Sequence, residues 1–463
     1  MRGKAGKEID MLNGPLLGKI IRFAIPIALS VFLQQLFNAA DIAVVGQFAA
    51  DSRTALAAVG GNSFVIGLMV NLFSGMSVGA NVVIASYRGQ RRDDETNRAV
   101  HTAVAFSLVC GVALMIAGLL LADVIHGWMG TGEEGSVLRG QAALYFRIYF
   151  LGVPFIMLYN YESAILRSKG DTRRPLFVLA CSGVLNVALN VILVRFFHLE
   201  VAGVAIATLA SNVFSSAVLF VLLLREQDAF RLIPRRIRME KKMLARMVRI
   251  GLPAGIQTSM FSIANVILQS HINALGPTVI ASSTVGVYAE FFAYDFIAGF
   301  SQAVTTFVGQ NYAAGNIRRC RTITRLCFFC GTLGTLTVSV ALTLLRFPFV
   351  SLFTSDELVI PVAAERVLRV GTFQWVNGMG EFLSGSLRGM KRSFVPAVIS
   401  VLGICGVRLI WVFFFYPAHP GYENLLVAWP LSWAVMFACM LAAFFIVRPR
   451  AEAEVRKQKG SAA

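Results

Sequence analysis

Gln34, Asn38 and Asp41 stand in the first long apolar run at i, i+4 and i+7, a spacing that puts all three on one helical face. A carboxylate beside two amides can hold a proton or coordinate a small cation, and a charge inside an apolar run is costly enough to mark function. The structural alternative is an aspartate solvated near the outer end of its helix. Against it, Val44, Val45 and Gly46 carry the apolar run past Asp41. Asn186 and Asn190, one turn apart in a later run, add donors and acceptors without charge, or join two helices as polar glue. These five residues form a candidate cation-coupling set.

A second set lies further along the chain. Asn265 and Gln269 follow Ser262 at helical spacing, and Glu290 and Asp295 stand among Phe291, Phe292, Tyr294 and Phe296. Acids among aromatic rings suit organic cations, although rings in such runs also face lipid or core. Asn265, Gln269, Glu290, Phe292, Tyr294 and Asp295 are therefore the candidate substrate contacts. Glu162 and Glu381 are expected to pair with Arg167 and Arg388, whereas Arg147 and Arg408, within apolar runs, need acidic or carbonyl partners.

The elements that position these residues are membrane helices. The 463-residue chain is 56% hydrophobic and 14% charged, with a mean hydropathy of +0.68, a balance that a soluble globule does not need. Roughly 20 helical residues cross a hydrocarbon core of about 30 Å. Twelve runs qualify, near 20–46, 60–86, 99–122, 141–164, 175–197, 201–224, 250–272, 278–309, 322–345, 366–387, 394–416 and 425–447. They are continuous, so helices are expected rather than barrel strands of about ten alternating residues.

The net charge of +17 is explained by where the cations fall. Of the 42 Lys and Arg, only Arg53, Arg139, Arg195, Arg346, Arg366 and Arg369 lie in odd-numbered loops, and Arg147 and Arg408 within runs. The rest occupy the tails and the even-numbered loops. That asymmetry places both termini in the cytoplasm and removes the reason to expect a nucleic-acid partner; the expected location is the plasma membrane, as a multi-pass protein. The segment before the first run is polar and basic, so no cleaved signal is expected.

The sequence also repeats itself. Arg22-Phe-Ala-Ile-Pro26 and Arg249-Ile-Gly-Leu-Pro253 lie 227 positions apart, as do Asn38 and Asn265, and Leu166-Arg167 with Pro175 recurs as Leu387-Arg388 with Pro396. Two related halves of six runs each start and end on one side, so they are parallel lobes with a cleft between them. The expected organisation is all-α: a six-helix lobe at 1–224, a basic linker at 225–249, and a second six-helix lobe with a short basic tail at 250–463.

Several motifs are decoys. Gly75-Met-Ser-Val-Gly79 fits a nucleophile elbow, but it lies in an apolar run and reads better as a helix-packing face. Cys327 and Cys330 lack the further ligands a metal site needs. An intramembrane enzyme would need a nucleophile–base pair at membrane depth, and His101, His126, His198, His271 and His419 sit near run ends without one. No phosphate-binding loop occurs, so an ion gradient or the substrate's own gradient is the expected energy source.

Taken in order, Arg22–Pro26, Gln35-Leu-Phe-Asn-Ala-Ala-Asp41 with Val44-Val-Gly46, Ala57-Ala-Val-Gly60, Ile165-Leu-Arg-Ser-Lys-Gly-Asp171 before Pro175, Thr306-Phe-Val-Gly-Gln310 and Ser386-Leu-Arg-Gly389 resemble the multidrug and toxic compound extrusion (MATE) transporters, from Pro15 to about Val447. The resemblance implies a two-lobed antiporter exporting amphipathic, often cationic compounds for H+ or Na+, with no other cofactor. It implies a coupling role for Asp41, a polar partner in Asn186, and an acidic eighth-span position at Glu290. Asn190 departs from the family, whose members often carry aspartate there, so Asp41 would act alone or with amides. The expected partners are lipid and small organic substrates, and the expected state is a monomer. A lipid-linked precursor flippase of the wider superfamily is the alternative; it would be expected to line its cleft with several cations.

Overall fold

The computed structural model describes residues 8–49, 52–128 and 137–460. Arg2, Lys4 and Lys7 of the expected basic tail, and the last three residues of the second lobe, lie outside them. The described residues form helices and no strands. In lipid every backbone amide and carbonyl needs a partner within its own segment, and the long apolar runs meet that demand as helices. In order they are α1 (Leu17–Phe48), α2 (Ser52–Gly89), α3 (Asp93–Trp128), α4 (Val137–Lys169), α5 (Arg173–Val191), α6 (Glu200–Leu224), α7 (Lys241–Asn273), α8 (Pro277–Ala313) and α9 (Ile317–Leu344). Then follow the short α10 (Arg346–Ser351), α11 (Val359–Arg369), α12 (Gln374–Gly389), α13 (Phe394–Ser400), α14 (Val407–Ile410), α15 (Tyr422–Leu426) and the long α16 (Ala428–Gly460).

Ten helices among the described residues are long and apolar enough to cross a membrane. The other two crossings of the twelve are α8, which carries Glu290 and Asp295, and the α11–α12 pair. The tenth expected run, 366–387, is therefore not one continuous helix: a 3-10 turn at Gly371–Phe373 divides it. Arg366, counted with the loops on sequence, is buried in α11 at 2% exposure. The expected linker 225–249 is partly helical, because α7 already begins at Lys241.

The chain divides into two compact units, Met1–Glu8 with Leu29–Gly255 and Ile9–Ala28 with Ile256–Ala463. Two of the three divisions, after Ala28 and after Gly255, fall two residues beyond a helix-interior proline, Pro26 in α1 and Pro253 in α7. Proline removes an amide donor and crowds the carbonyl four residues earlier, so a helix changes course there most easily. The first unit therefore keeps the start of α7, and the second takes the start of α1. Within the first unit α2 and α7 approach closely: a Cβ on Gly79 would collide with the Met247 carbonyl and Gly251, and one on Gly251 with the Met76 carbonyl. The Gly75–Gly79 motif is thus a helix-packing site, as its place in an apolar run suggests.

The repeat has a backbone counterpart in the turns. In the first unit, Arg92 N–H bonds the Tyr87 carbonyl at 3.1 Å and Asp171 N–H bonds that of Leu166 at 2.9 Å. In the second unit, Asn316 bonds back to Asn311 at 2.8 Å and Arg392 to Leu387 at 2.9 Å in the same way. Before each donor stands a residue in the left-handed region, Arg91 (φ 56°), Gly170 (107°), Gly315 (74°) and Lys391 (65°). This is the helix-ending pattern in which an amide reaches back five residues to a carbonyl that the helix leaves open.

Candidate functional site

Asp41 is buried in α1, at 9% exposure, and two other helices of the first unit, α5 and α6, supply its hydrogen-bond partners. Asn190 Nδ2 on α5 donates to Asp41 Oδ1 at 2.5 Å and to Asn186 Oδ1 at 3.2 Å. Thr208 Oγ1 on α6 donates to Asp41 Oδ2 at 3.3 Å and lies 3.4 Å from Asn186 Nδ2 as its acceptor. Asn186 and Asn190 meet because they are one helical turn apart on α5. Directly after Asn190 the helix widens into a π turn, Ile192–Phe196, a feature common at functional sites.

Asn190 is fully buried, yet its Oδ1 has no hydrogen-bond partner among the described residues. Burying an amide oxygen unpaired is unfavourable unless something fills the place at some stage of the working cycle. The Asp41 carboxylate, Asn186 Oδ1 and Thr208 Oγ1 meet around the Asn190 amide as an oxygen-rich cradle, chemistry suited to a hard monovalent cation or to a proton on the carboxylate. Gln34 and Asn38 share the helix with Asp41 but are exposed, and neither side chain makes a hydrogen bond among the described residues. The structure thus brings together Asp41, Asn186 and Asn190 and adds Thr208, which apolar-run reasoning passed over as one hydroxyl in the sixth run.

The second unit holds a different arrangement. Glu290 accepts a 2.6 Å bond from Arg366 Nε, and Arg366 Nη1 donates to Ser283 Oγ at 2.7 Å. Arg408 Nη1 donates to Asn265 Oδ1 at 2.9 Å and its Nε to Ser432 Oγ at 3.2 Å. Both guanidinium groups lie against the Trp429 ring, at 4.9 and 5.2 Å from its centroid. Glu290 is therefore paired and not an open acid among rings. Phe292 and Tyr294 point to exposed positions, while Asp295 is buried with neither carboxylate oxygen partnered among the described residues. Gln269 is exposed and donates to Asn273 Oδ1 at 2.9 Å. At about 100° per residue, Glu290 and Asp295 stand roughly 140° apart around α8, so the two acids do not share one face.

The expected pairs near the ends of the fourth and tenth runs come out unequally. Glu381 accepts from Arg388 at 3.3 Å and from Gln257 at 3.2 Å. Glu162, fully buried, has no partner for either oxygen among the described residues, so its expected pair with Arg167 is not formed. Arg147 finds Asp123 at 2.7 Å on a half-exposed face. The acids Glu8, Glu226 and Asp228 converge, but they close around the Lys169 ammonium at 2.7, 2.5 and 2.9 Å, which fills the place a metal would take.

Twelve crossings in two lobes, with buried polar clusters built from facing helices, define a multi-pass membrane transporter. Residues 26–192 and 253–414 match the MatE family model, and the chain belongs to that family. It is 27% identical over 398 residues to a probable multidrug resistance protein NorM of Thermotoga maritima, with 84% of each chain covered. It is 26% identical over 397 residues to a probable multidrug resistance protein YoeA of Bacillus subtilis, again with 84% of each covered. A solved outward-facing multidrug resistance MATE family transporter of the MOP superfamily superposes with a TM-score of 0.86 at 23% identity, over 97% of this chain and 99% of that one. At that identity the likeness speaks for the fold.

Proposed function

We propose that this protein is a secondary antiporter that exports amphipathic, cationic organic compounds in exchange for H+ or Na+ by alternating access. The carrying observation is the buried cradle of Asp41, Asn186, Asn190 and Thr208, with its unfilled acceptor at Asn190. A site of this kind binds a proton or small cation reversibly, and binding shifts a conformational equilibrium only by its differential affinity for the two states. An ion that favours one facing of the site, and a cargo that favours the other, give exchange. The multidrug names of its relatives support a drug-like cargo. The protein works in this reading as a monomer in the plasma membrane with both termini cytoplasmic, and needs no cofactor beyond the coupling ion.

The test is flux in proteoliposomes holding purified protein, under an imposed pH or sodium gradient, with ethidium as the cargo. Gradient-driven ethidium movement that Asp41→Asn abolishes is the expected result. Equal movement by wild type and Asp41→Asn under both gradients would sink the coupling assignment, and no movement by wild type under either would sink export itself.

A further inference from the structure

Arg408 has no part in a scheme built on a cation and a carboxylate. It lies in the second unit at 4% exposure, between two π turns, Val401–Gly406 and Trp411–Phe415. No carboxylate among the described residues forms an ion pair with it. Its hydrogen bonds go to neutral groups, Asn265 and Ser432, and its guanidinium faces the rings of Trp429 and Trp433 at 5.2 and 6.0 Å. Glu290, the acid of this cluster, is held by Arg366, whose guanidinium also lies against Trp429. Asp295, the other buried acid of α8, makes no ion pair among the described residues. The cluster therefore holds two guanidinium groups against one carboxylate.

A buried arginine within a membrane-spanning lobe is kept at a cost unless an opposite charge joins it. Arg408 also keeps donor capacity in reserve, because its Nη2 makes no hydrogen bond among the described residues. Asn265, its amide partner, stands at an exposed position of α7, so a single polar side chain leads from outside this unit to the guanidinium. Guanidinium is planar and forms paired bonds to carboxylate oxygens, while indole rings take up flat aromatic bodies.

We propose that Arg408, with Asn265, Ser432, Trp429 and Trp433, forms a subsite for the carboxylate of an aromatic compound, the missing counter-charge arriving with the cargo. The subsite rests on the export reading for its purpose, and within that reading it gives a place to an acid group on an aromatic cargo. Ser432 donates to the Trp429 carbonyl at 2.8 Å while it accepts from Arg408, which holds the guanidinium and the indole in fixed relation.

The experiment uses purified full-length protein and two probes of one shape, coumarin-3-carboxylate and its uncharged carboxamide, with binding read by probe anisotropy. Wild type is expected to bind the carboxylate at least about tenfold more tightly than the carboxamide, a difference of about 1.4 kcal/mol. Arg408→Gln erases that preference, and Arg408→Lys keeps part of it. Asn265→Asp, a near-isosteric change that places a carboxylate beside Nη1, erases it too and guards against a folding defect in Arg408→Gln. Equal binding of both probes by wild type overturns the subsite, as does a preference that survives Arg408→Gln or Asn265→Asp in monodisperse protein. The export reading fails separately: if the Arg408-dependent preference is present but neither probe carboxylate nor ethidium moves in proteoliposomes, the subsite stands and the transport assignment falls.

Discussion

Asn190 and Asp41, 149 positions apart in sequence, share a 2.5 Å hydrogen bond in which the amide donates and the carboxylate accepts. The same amide nitrogen also reaches Asn186 at 3.2 Å, while its oxygen is left unpaired among the described residues. Two donors, Asn190 and Thr208, fix both carboxylate oxygens of Asp41 in place. Asp41→Asn preserves shape and keeps one acceptor while removing the charge. Gradient-driven transport in proteoliposomes is expected to fall at least about tenfold, consistent with losing more than about 1.4 kcal/mol of ion binding. Thr208→Val removes one charge-assisted bond, typically about 1.5–3 kcal/mol. It is expected to shift the ion concentration for half-maximal transport by roughly tenfold or more. An unchanged ion dependence in Thr208→Val would show that Thr208 has no place in the cradle.

The Arg366–Glu290 pair carries a different expectation. Both side chains are buried, and Arg366 adds a bond to Ser283. Removing one partner strands the other charge, a loss of about 3–5 kcal/mol in comparable buried pairs, whereas replacing both with apolar groups is often close to neutral. Arg366→Met is expected to lower the thermal unfolding midpoint in detergent sharply, and Arg366→Met with Glu290→Leu to recover most of the loss. If the losses measured for Arg366→Met and for Glu290→Leu alone simply add in the double variant, the pair does not couple.

The sequence made the helices and the repeat legible because bilayer crossing demands long apolar runs that stand out without any knowledge of packing. It also made Asp41, Asn186 and Asn190 legible, since polar groups in such runs are few. Thr208 was not legible: a hydroxyl in an apolar run can bond its own backbone and gives no sign of a partner on another helix. Arg366 was missed because the tenth run is divided at Gly371–Phe373, and charge position alone made it look like a loop residue. Glu290 looked like a free acid among rings because helical spacing reports neighbours on its own helix and is silent about an arginine on α11.

The contact of α2 with α7 in the first unit depends on the absence of side chains. Gly79 faces the Met247 carbonyl and Gly251, and Gly255 faces the Leu72 carbonyl. Gly79→Ala and Gly251→Ala are each expected to destabilise by about 1–3 kcal/mol, the usual range for overpacking. Gly18→Ala is the control, with open space where its Cβ would stand. Gly18 stands in the first turn of α1, so the gain there is a fraction of the roughly 0.5–1 kcal/mol of a helix interior, with no packing loss against it. Unfolding midpoints that fall for all three, or for none, would contradict the packing.

The left-handed turn residues make an opposed pair of changes informative. Gly170 (φ 107°) follows α4 within the first unit, and Lys391 (φ 65°) holds the corresponding place after α12 in the second. A residue with a Cβ pays roughly 1–2 kcal/mol in this region, a strain that glycine escapes. Gly170→Ala is accordingly expected to destabilise by at least about 1 kcal/mol, and more if the buried turn cannot relax. Lys391→Gly should move the other way by up to about 1 kcal/mol, because the Arg392 to Leu387 bond is kept while the strain is released. Its net gain is smaller than the strain itself, since glycine also loosens the unfolded chain. Midpoints measured on both variants in one detergent decide the matter: a stabilised Gly170→Ala, or a Lys391→Gly destabilised by more than loss of the side chain's contacts explains, would mean that these turns do not end their helices in the way described.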